Sequence, residues 1–257
     1  MSPGDRTSMG GPGDRFETTD WASILRTRTP DDDERREAMG RMIAQYWKPI
    51  YCYLRRQGFG NEEAKDLAQG FFHEVVLGRE LVQKADSAKG RFRSFLLVSL
   101  GHYVANVRRA GASPRRRPPG GVIPVEAIES FEIPDRGCDM TPEAAFNYEW
   151  AATLLEQVLE QVECDCRDRG QQTHWEVFRL RVVKPIMEDS EPPAITEVCA
   201  QAGVADLARA SNMIVTVKRR FRAVLAQHVR RLVASEADVE AEMRELTAIL
   251  SESGAGF

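Results

Sequence analysis

Apolar residues in this chain recur at steps of three and four, segment after segment, with Gly and Pro standing between the segments. The clearest stripe is Leu207, Ala210, Ile214, Val217, Phe221, Val224, Leu225, Val229 and Leu232. That spacing returns each side chain to one face of a 3.6-residue helix, whereas a half-buried strand would alternate every second residue. No segment alternates in that way, and none repeats another. The expected fold class is all-α.

The same reasoning sets out the other helices. Asp31-Asp32-Asp33-Glu34 opens one whose buried face is Met39, Met42, Ile43, Tyr46, Trp47, Ile50, Tyr51 and Leu54. Acids suit the positive end of its dipole. Pro49 is placed to kink it, and Gly58 and Gly60 end it. Asn61 is the expected N-cap of the next, which carries Ala64, Leu67, Ala68, Phe71, Phe72, Val75 and Val76 and closes at Gly78. A third runs from Arg91 to Arg109, with Phe92, Phe95, Leu96, Val98, Ser99, Tyr103 and Val107 mostly inward.

Thr141-Pro142-Glu143 is a strong helix start, followed by Phe146, Trp150, Leu154, Leu155, Val158, Leu159 and Val162. Further helices are expected over about Thr173–Val183, Ile195–Ala202, Asp206–Ala234 and Ala237–Leu250, with a loop from Lys184 to Pro193.

Two stretches break the pattern. Residues 1–15, rich in Gly, Pro, Ser and Asp, read as a disordered tail; Thr19-Asp20-Trp21 then starts a short helix. Residues 111–141, beginning GASPRRRPPGG, read as a linker, because Pro and Gly do not hold a helix. The expected organisation is a helical domain over 16–110, this linker, a second helical domain over 142–236, and a C-terminal helix and tail over 237–257.

Charge is distributed unevenly. The 90–125 window holds seven arginines and the 207–235 window six arginines and a lysine, and neither holds an acid. The remaining 21 of the 35 basic residues face all 39 acidic ones, so an acidic chain concentrates its positive charge in two places. Two polyanion contacts account for this; solvated helix faces, which usually mix signs, account for it less well.

No stretch approaches the ~18 apolar residues of a membrane span, and the N-terminus lacks the apolar core of a secretory signal. Five cysteines is an odd number for a disulfide framework. A cytoplasmic protein without membrane insertion is expected.

Short helix, glycine turn, long basic helix is the helix-turn-helix order. It is met at Ile195–Ala202, Gly203-Val204 and the helix through Arg222. With the apolar stripe inward, Asn212 and Arg219 point most nearly outward, flanked by Arg209 and Thr216. Asn suits adenine and Arg suits guanine in the major groove. Lys218, Arg220 and Arg222 lie nearer the shoulders and suit phosphates. An exposed basic face on a plain three-helix bundle is the alternative.

In the first basic window, Arg91-Phe92-Arg93-Ser94-Phe95 interleaves cations with aromatics, a combination that can hold phosphate and stack a base. Asn106, Arg108 and Arg109 end the same helix. Phe95 and Leu96 read as core residues; Arg91 and Arg93 read as nucleic-acid contacts.

The runs EEAKDLAQGFFHEVV (Glu62–Val76) and GRFRSFLLVSLGHYVANVRRA (Gly90–Ala110) resemble region 2 of the extracytoplasmic-function sigma factors of bacterial RNA polymerase. Asp66, Leu67, Gln69 and Phe72 match that family's D-L-x-Q-x-x-F core. FETTDW (Phe16–Trp21) and YWKPIYCYLRRQG (Tyr46–Gly58) resemble a subgroup, and the helix-turn-helix half is similar to region 4. ADLARASNMIVTVKRR departs from the family's Ser/Thr-rich start to the recognition helix.

The resemblance implies a dissociable specificity subunit rather than an enzyme, with core RNA polymerase and promoter DNA as partners. An anti-sigma factor or other regulatory protein is a further candidate partner. It implies that Glu62, Asp66, Gln69 and Phe72 lie near the polymerase contact. It also implies that Arg91, Phe92, Arg93, Ser94, Asn106, Arg108 and Arg109 help open the −10 element, and that region 4 reads the −35 duplex. Arg115–Arg117 would lie in the threading linker.

Catalytic and metal readings find no support. His73-Glu74 lacks the second His of a zinc protease, and Cys164-Asp165-Cys166 has no second pair. No glycine-rich phosphate loop is present, and no cofactor is expected. Cys52, Cys199, Trp47, Trp150 and Trp175 read as core. A DNA-binding regulator that acts without polymerase, and a helical adaptor protein, are the competing readings.

Overall fold

The computed structural model of the chain describes residues 32–77, 92–110, 140–233 and 236–252. Every regular element among them is helical. In order these are α1 (Asp32–Arg56), α2 (Asn61–Phe71) with a π-helical turn at Phe72–Leu77, and α3 (Phe92–Ala110). Then come α4 (Pro142–Asp168), α5 (Gln172–Phe178) with a π-helical turn at Arg179–Val183, and α6 (Lys184–Met187). The last three are α7 (Ile195–Ala202), α8 (Leu207–Leu232) and, after a 3₁₀ turn at Glu236–Asp238, α9 (Val239–Glu252). The expected tail, the short helix near Trp21, Arg91 and nearly all of the linker with Arg115–Arg117 lie outside the described residues. None of the described helices is long and apolar enough to cross a membrane.

Local chemistry explains most helix ends. Thr141 Oγ1 accepts from the Ala144 amide at 3.1 Å, with Pro142 in the first turn. Helix α1 continues through Pro49 and stops just before Gly58, whose φ is +92°. The cap of α2 differs from expectation. Gly60 holds the cap position, while Asn61 Oδ1 accepts from the Tyr51 hydroxyl at 2.6 Å, tying α2 to α1. The expected 184–193 loop is also shorter, because Pro185 sits in the first turn of α6, where its missing amide costs nothing.

One apolar cluster runs across the expected domain boundary. One apolar core takes Tyr46, Ile50 and Leu54 from α1, Phe71 from α2, and Leu96 and Leu100 from α3. It continues through Phe146, Trp150 and Leu154 of α4, Val224 and Val229 of α8, and Leu246 and Leu250 of α9. Helix α4, placed by sequence with the C-terminal half, lies along α1. Tyr46 stacks near Phe146 with centroids 6.5 Å apart. Lys48 pairs with Glu149 at 2.9 Å, and Gln157 Nε2 donates to Gln45 Oε1 at 2.8 Å. A Pro/Gly-rich run marks a break in helical period; it does not determine which apolar faces meet across it.

Helix α9 packs on α4 and α8 and reaches α3. Helices α2 and α3 approach closely at Gly70, where a Cβ would stand 2.5 Å from the Tyr103 hydroxyl. That ring is itself held edge-on against Phe71 at 5.5 Å. Cys52, Cys199, Trp47, Trp150 and Trp175 are buried as expected, whereas Val98 and Leu207, read as inward, are exposed.

Candidate nucleic-acid interface

A second, smaller core gathers Val177, Leu180, Val198, Cys199, Val204, Ala210 and Met213. It fastens α5, α7 and the first half of α8 into one trihelical unit. Between α7 and α8, Gly203 takes the left-handed conformation at φ +66°, which Cβ sterics disfavour in other residues. The Val204 amide then donates to the Cys199 carbonyl at 2.9 Å. Asp206 caps α8, its carboxylate accepting from the Ala208 amide at 2.9 Å. The turn and cap together set the angle at which α8 leaves.

The outward face of α8 carries Arg209, Asn212, Lys218, Arg219 and Arg222, all exposed. Among the described residues no carboxylate pairs with any of these four cations. Thr216 is half-buried, and its hydroxyl donates to the Asn212 carbonyl at 2.8 Å. Half-buried His174, on α5, has its pKa lowered by burial and by the nearby positive charges of Arg209 and Arg220.

Arg220 departs from the phosphate role expected of it. Its Nη1 donates to Cys166 Sγ at 2.7 Å and its Nη2 to Gln171 Oε1 at 2.6 Å. The guanidinium is thus an internal tether from α8 to the α4–α5 junction. Burial pushes the Cys166 thiol up, with the Arg220 charge opposing.

The start of α3 requires a larger correction. Phe92 and Arg93, expected at the DNA, are each only 4% exposed. The Arg93 guanidinium lies 2.6 Å from Glu245 and 3.4 Å from Glu242, both on α9, and 4.1 Å from the centroid of the Trp150 ring. Phe92 meets Tyr46 edge-on at 5.6 Å. A guanidinium leaves water only where fixed negative charge replaces its hydration, and α9 supplies that charge. Ser94 is exposed.

The other end of α3 does face outward. Asn106, Arg108 and Arg109 are exposed. Arg108 donates to the Gln57 carbonyl at 2.8 Å and to Gln57 Oε1 at 2.9 Å, and lies over Phe59. Arg109 donates to Asn106 Oδ1 at 2.8 Å.

On α2, Glu62 and Asp66 are exposed and Gln69 is half-buried, so three of the four expected polymerase contacts reach the surface. Phe72 does not. It is 0% exposed and stacks on Trp47 at 6.1 Å, which makes it a core residue.

One surface residue escaped the sequence reading. Val215 is 64% exposed on the outward face of α8. The signal was available: Val215 lies far off the apolar stripe on the helical wheel. Searches against protein-family models, curated proteins and solved structures find no match to this chain.

Proposed function

We propose that this chain is a promoter-specificity factor of the extracytoplasmic-function sigma type, with α8 as its reader of duplex DNA. The observation that carries the reading is the outward face of α8, cationic and, among the described residues, free of carboxylate partners, launched from the left-handed turn at Gly203. Asn212 and Arg219 lie seven residues apart, about 10 Å along the helix axis. That distance matches about three base-pair steps of the major groove, and Asn and Arg are the side chains suited to purine edges there. Arg209, Lys218 and Arg222 flank them at the height of the phosphates.

Exposed Glu62 and Asp66 on α2 fit a basic partner surface on the polymerase. Asn106, Arg108 and Arg109 remain available for a second nucleic-acid contact; Arg93 does not. In this role the chain binds and positions, and performs no bond chemistry of its own.

A regulator acting without polymerase is the second reading. It is favoured by the shared core of α1 and α4, which joins the two halves that a sigma factor spreads between two promoter elements.

Co-purification with core RNA polymerase separates the two. We expect capture of core, initiation on a cognate promoter, and weak duplex binding by the chain alone. Asp66→Arg is expected to weaken capture at least tenfold while leaving thermal unfolding unchanged. Capture at wild-type affinity would remove α2 from the contact. Tight operator binding without polymerase would favour the regulator.

A further inference from the structure

We propose that Val215 is a base reader, and that it seats against the 5-methyl group of a thymine in the major groove. The inference rests on the DNA reading above and adds a residue and a base identity to it.

Residues three, four and seven positions away are a residue's neighbours on a helix surface. For Val215 these are Ala208, Ser211, Asn212, Lys218, Arg219 and Arg222, and all six are exposed. An apolar side chain thus stands alone within a polar and cationic patch, touching neither apolar core. A β-branched residue lowers helix propensity, and at this position no packing offsets that loss. Scattered apolar residues occur on any surface, but along the helix axis this one lies between the two side chains best placed to meet base edges, and to one side of both on the wheel. On the wheel it falls within about 60° of Asn212 and about 40° of Arg219.

The charge around it selects the occupant. A protein partner with an apolar knob would have to carry acids on every side to match three flanking cations. Duplex DNA presents phosphates at the rim of its groove and, at thymine, one methyl group on the groove floor. An apolar contact between two polar readers is complementary to that arrangement. The short, stiff valine side chain also loses little freedom on contact.

The test begins with selection of a duplex from a randomised pool by the full chain at low salt, with and without core polymerase. Each thymine of the selected site is then replaced by deoxyuridine, which keeps base pairing and removes only the methyl group. One position is expected to weaken binding about fourfold, the ~0.8 kcal/mol of one buried methyl-sized group. Val215→Ser and Val215→Asn, both polar and tolerable at an exposed site, are expected to abolish that dependence, while Arg219→Ala keeps it. A selected site in which no thymine is methyl-sensitive, or one whose sensitivity survives Val215→Ser, overturns the inference and leaves DNA reading intact. A pool that yields no preferred sequence under either condition overturns both.

Discussion

The two arginine-rich windows look alike in sequence and meet opposite fates. At the start of α3, Arg93 is folded inward, held by Glu242 and Glu245 and covered by Trp150. Along α8, Arg209, Arg219 and Arg222 stay at the surface, with no carboxylate of the described residues in reach. Neither window contains an acid of its own, so local sequence does not distinguish them. What distinguishes them is a third element. Helix α9 brings acids to the start of α3 and packs its apolar face against the lower half of α8, while the outward face of the upper half stays open. A cluster of arginines is therefore a surface feature only where no acidic helix folds onto it.

The sharpest way to break this contrast is at Arg93. Removing one partner of a buried ion pair leaves the other charged and desolvated, at a cost of about 3–5 kcal/mol. Arg93→Ala and Glu242→Ala are each expected to lower the unfolding free energy by that order, read from urea titrations. The paired apolar replacement Arg93→Met with Glu242→Leu is expected to recover most of the loss. An Arg93→Ala protein with wild-type stability and impaired DNA binding would place Arg93 back on the surface and undo the comparison.

The neighbours Arg219 and Arg220 repeat the contrast within one turn of α8. Arg219→Ala is expected to leave stability within about 0.5 kcal/mol. It should cost ~1–3 kcal/mol of binding at one base pair, because only a base contact is lost. Arg220→Ala is expected to do the reverse. It strands Gln171 and Cys166, destabilising the fold by about 1–3 kcal/mol, with no change in base preference. Equilibrium unfolding and binding to single-base variants of one duplex give both readouts. Uniform binding loss across sequences for Arg219→Ala would make it a phosphate contact.

Much of this was legible from spacing alone. The apolar stripes located the helices, Gly203 marked the turn, and the wheel turned Asn212 and Arg219 outward. It had also already put Phe72 on the buried face with Ala64 and Ala68. The resemblance to a polymerase-binding motif pointed Phe72 the other way, and Trp47 shows the wheel to be the better guide there. The rest depended on partners distant in sequence. Nothing near Arg93 announces two glutamates some 150 residues away. Arg220 sits on the shoulder of its helix, where 100° steps do not decide between inside and outside, and Gln171 decides it. The pairing of α1 with α4 is of the same kind, since each helix shows only that it needs a partner.

His228 offers the finest test, because it lies on the acid-free helix at the end that is buried. Burial, and then the neighbouring Arg231 charge, lower its pKa from the ordinary 6.5 to about 4. Arg93 is charged in a buried site because α9 supplies glutamates, whereas at His228 burial is the dominant influence and favours the neutral ring. The sign follows. As pH falls below about 6.5 the unfolded chain takes up a proton that the folded chain refuses until about pH 4. Stability contributed by neutral His228 is therefore intact above about 6.5 and lost across that interval. The expected loss is on the order of 1 kcal/mol after allowance for partial hydration of the ring. In His228→Gln that part of the pH dependence should vanish, whatever the substitution does to stability at neutral pH. Identical slopes for the two proteins between pH 6.5 and pH 4 would mean that His228 is not the group behind this loss, and that burial does not set the charge at this end of α8, where Glu236 already pairs with Arg230 at 2.9 Å.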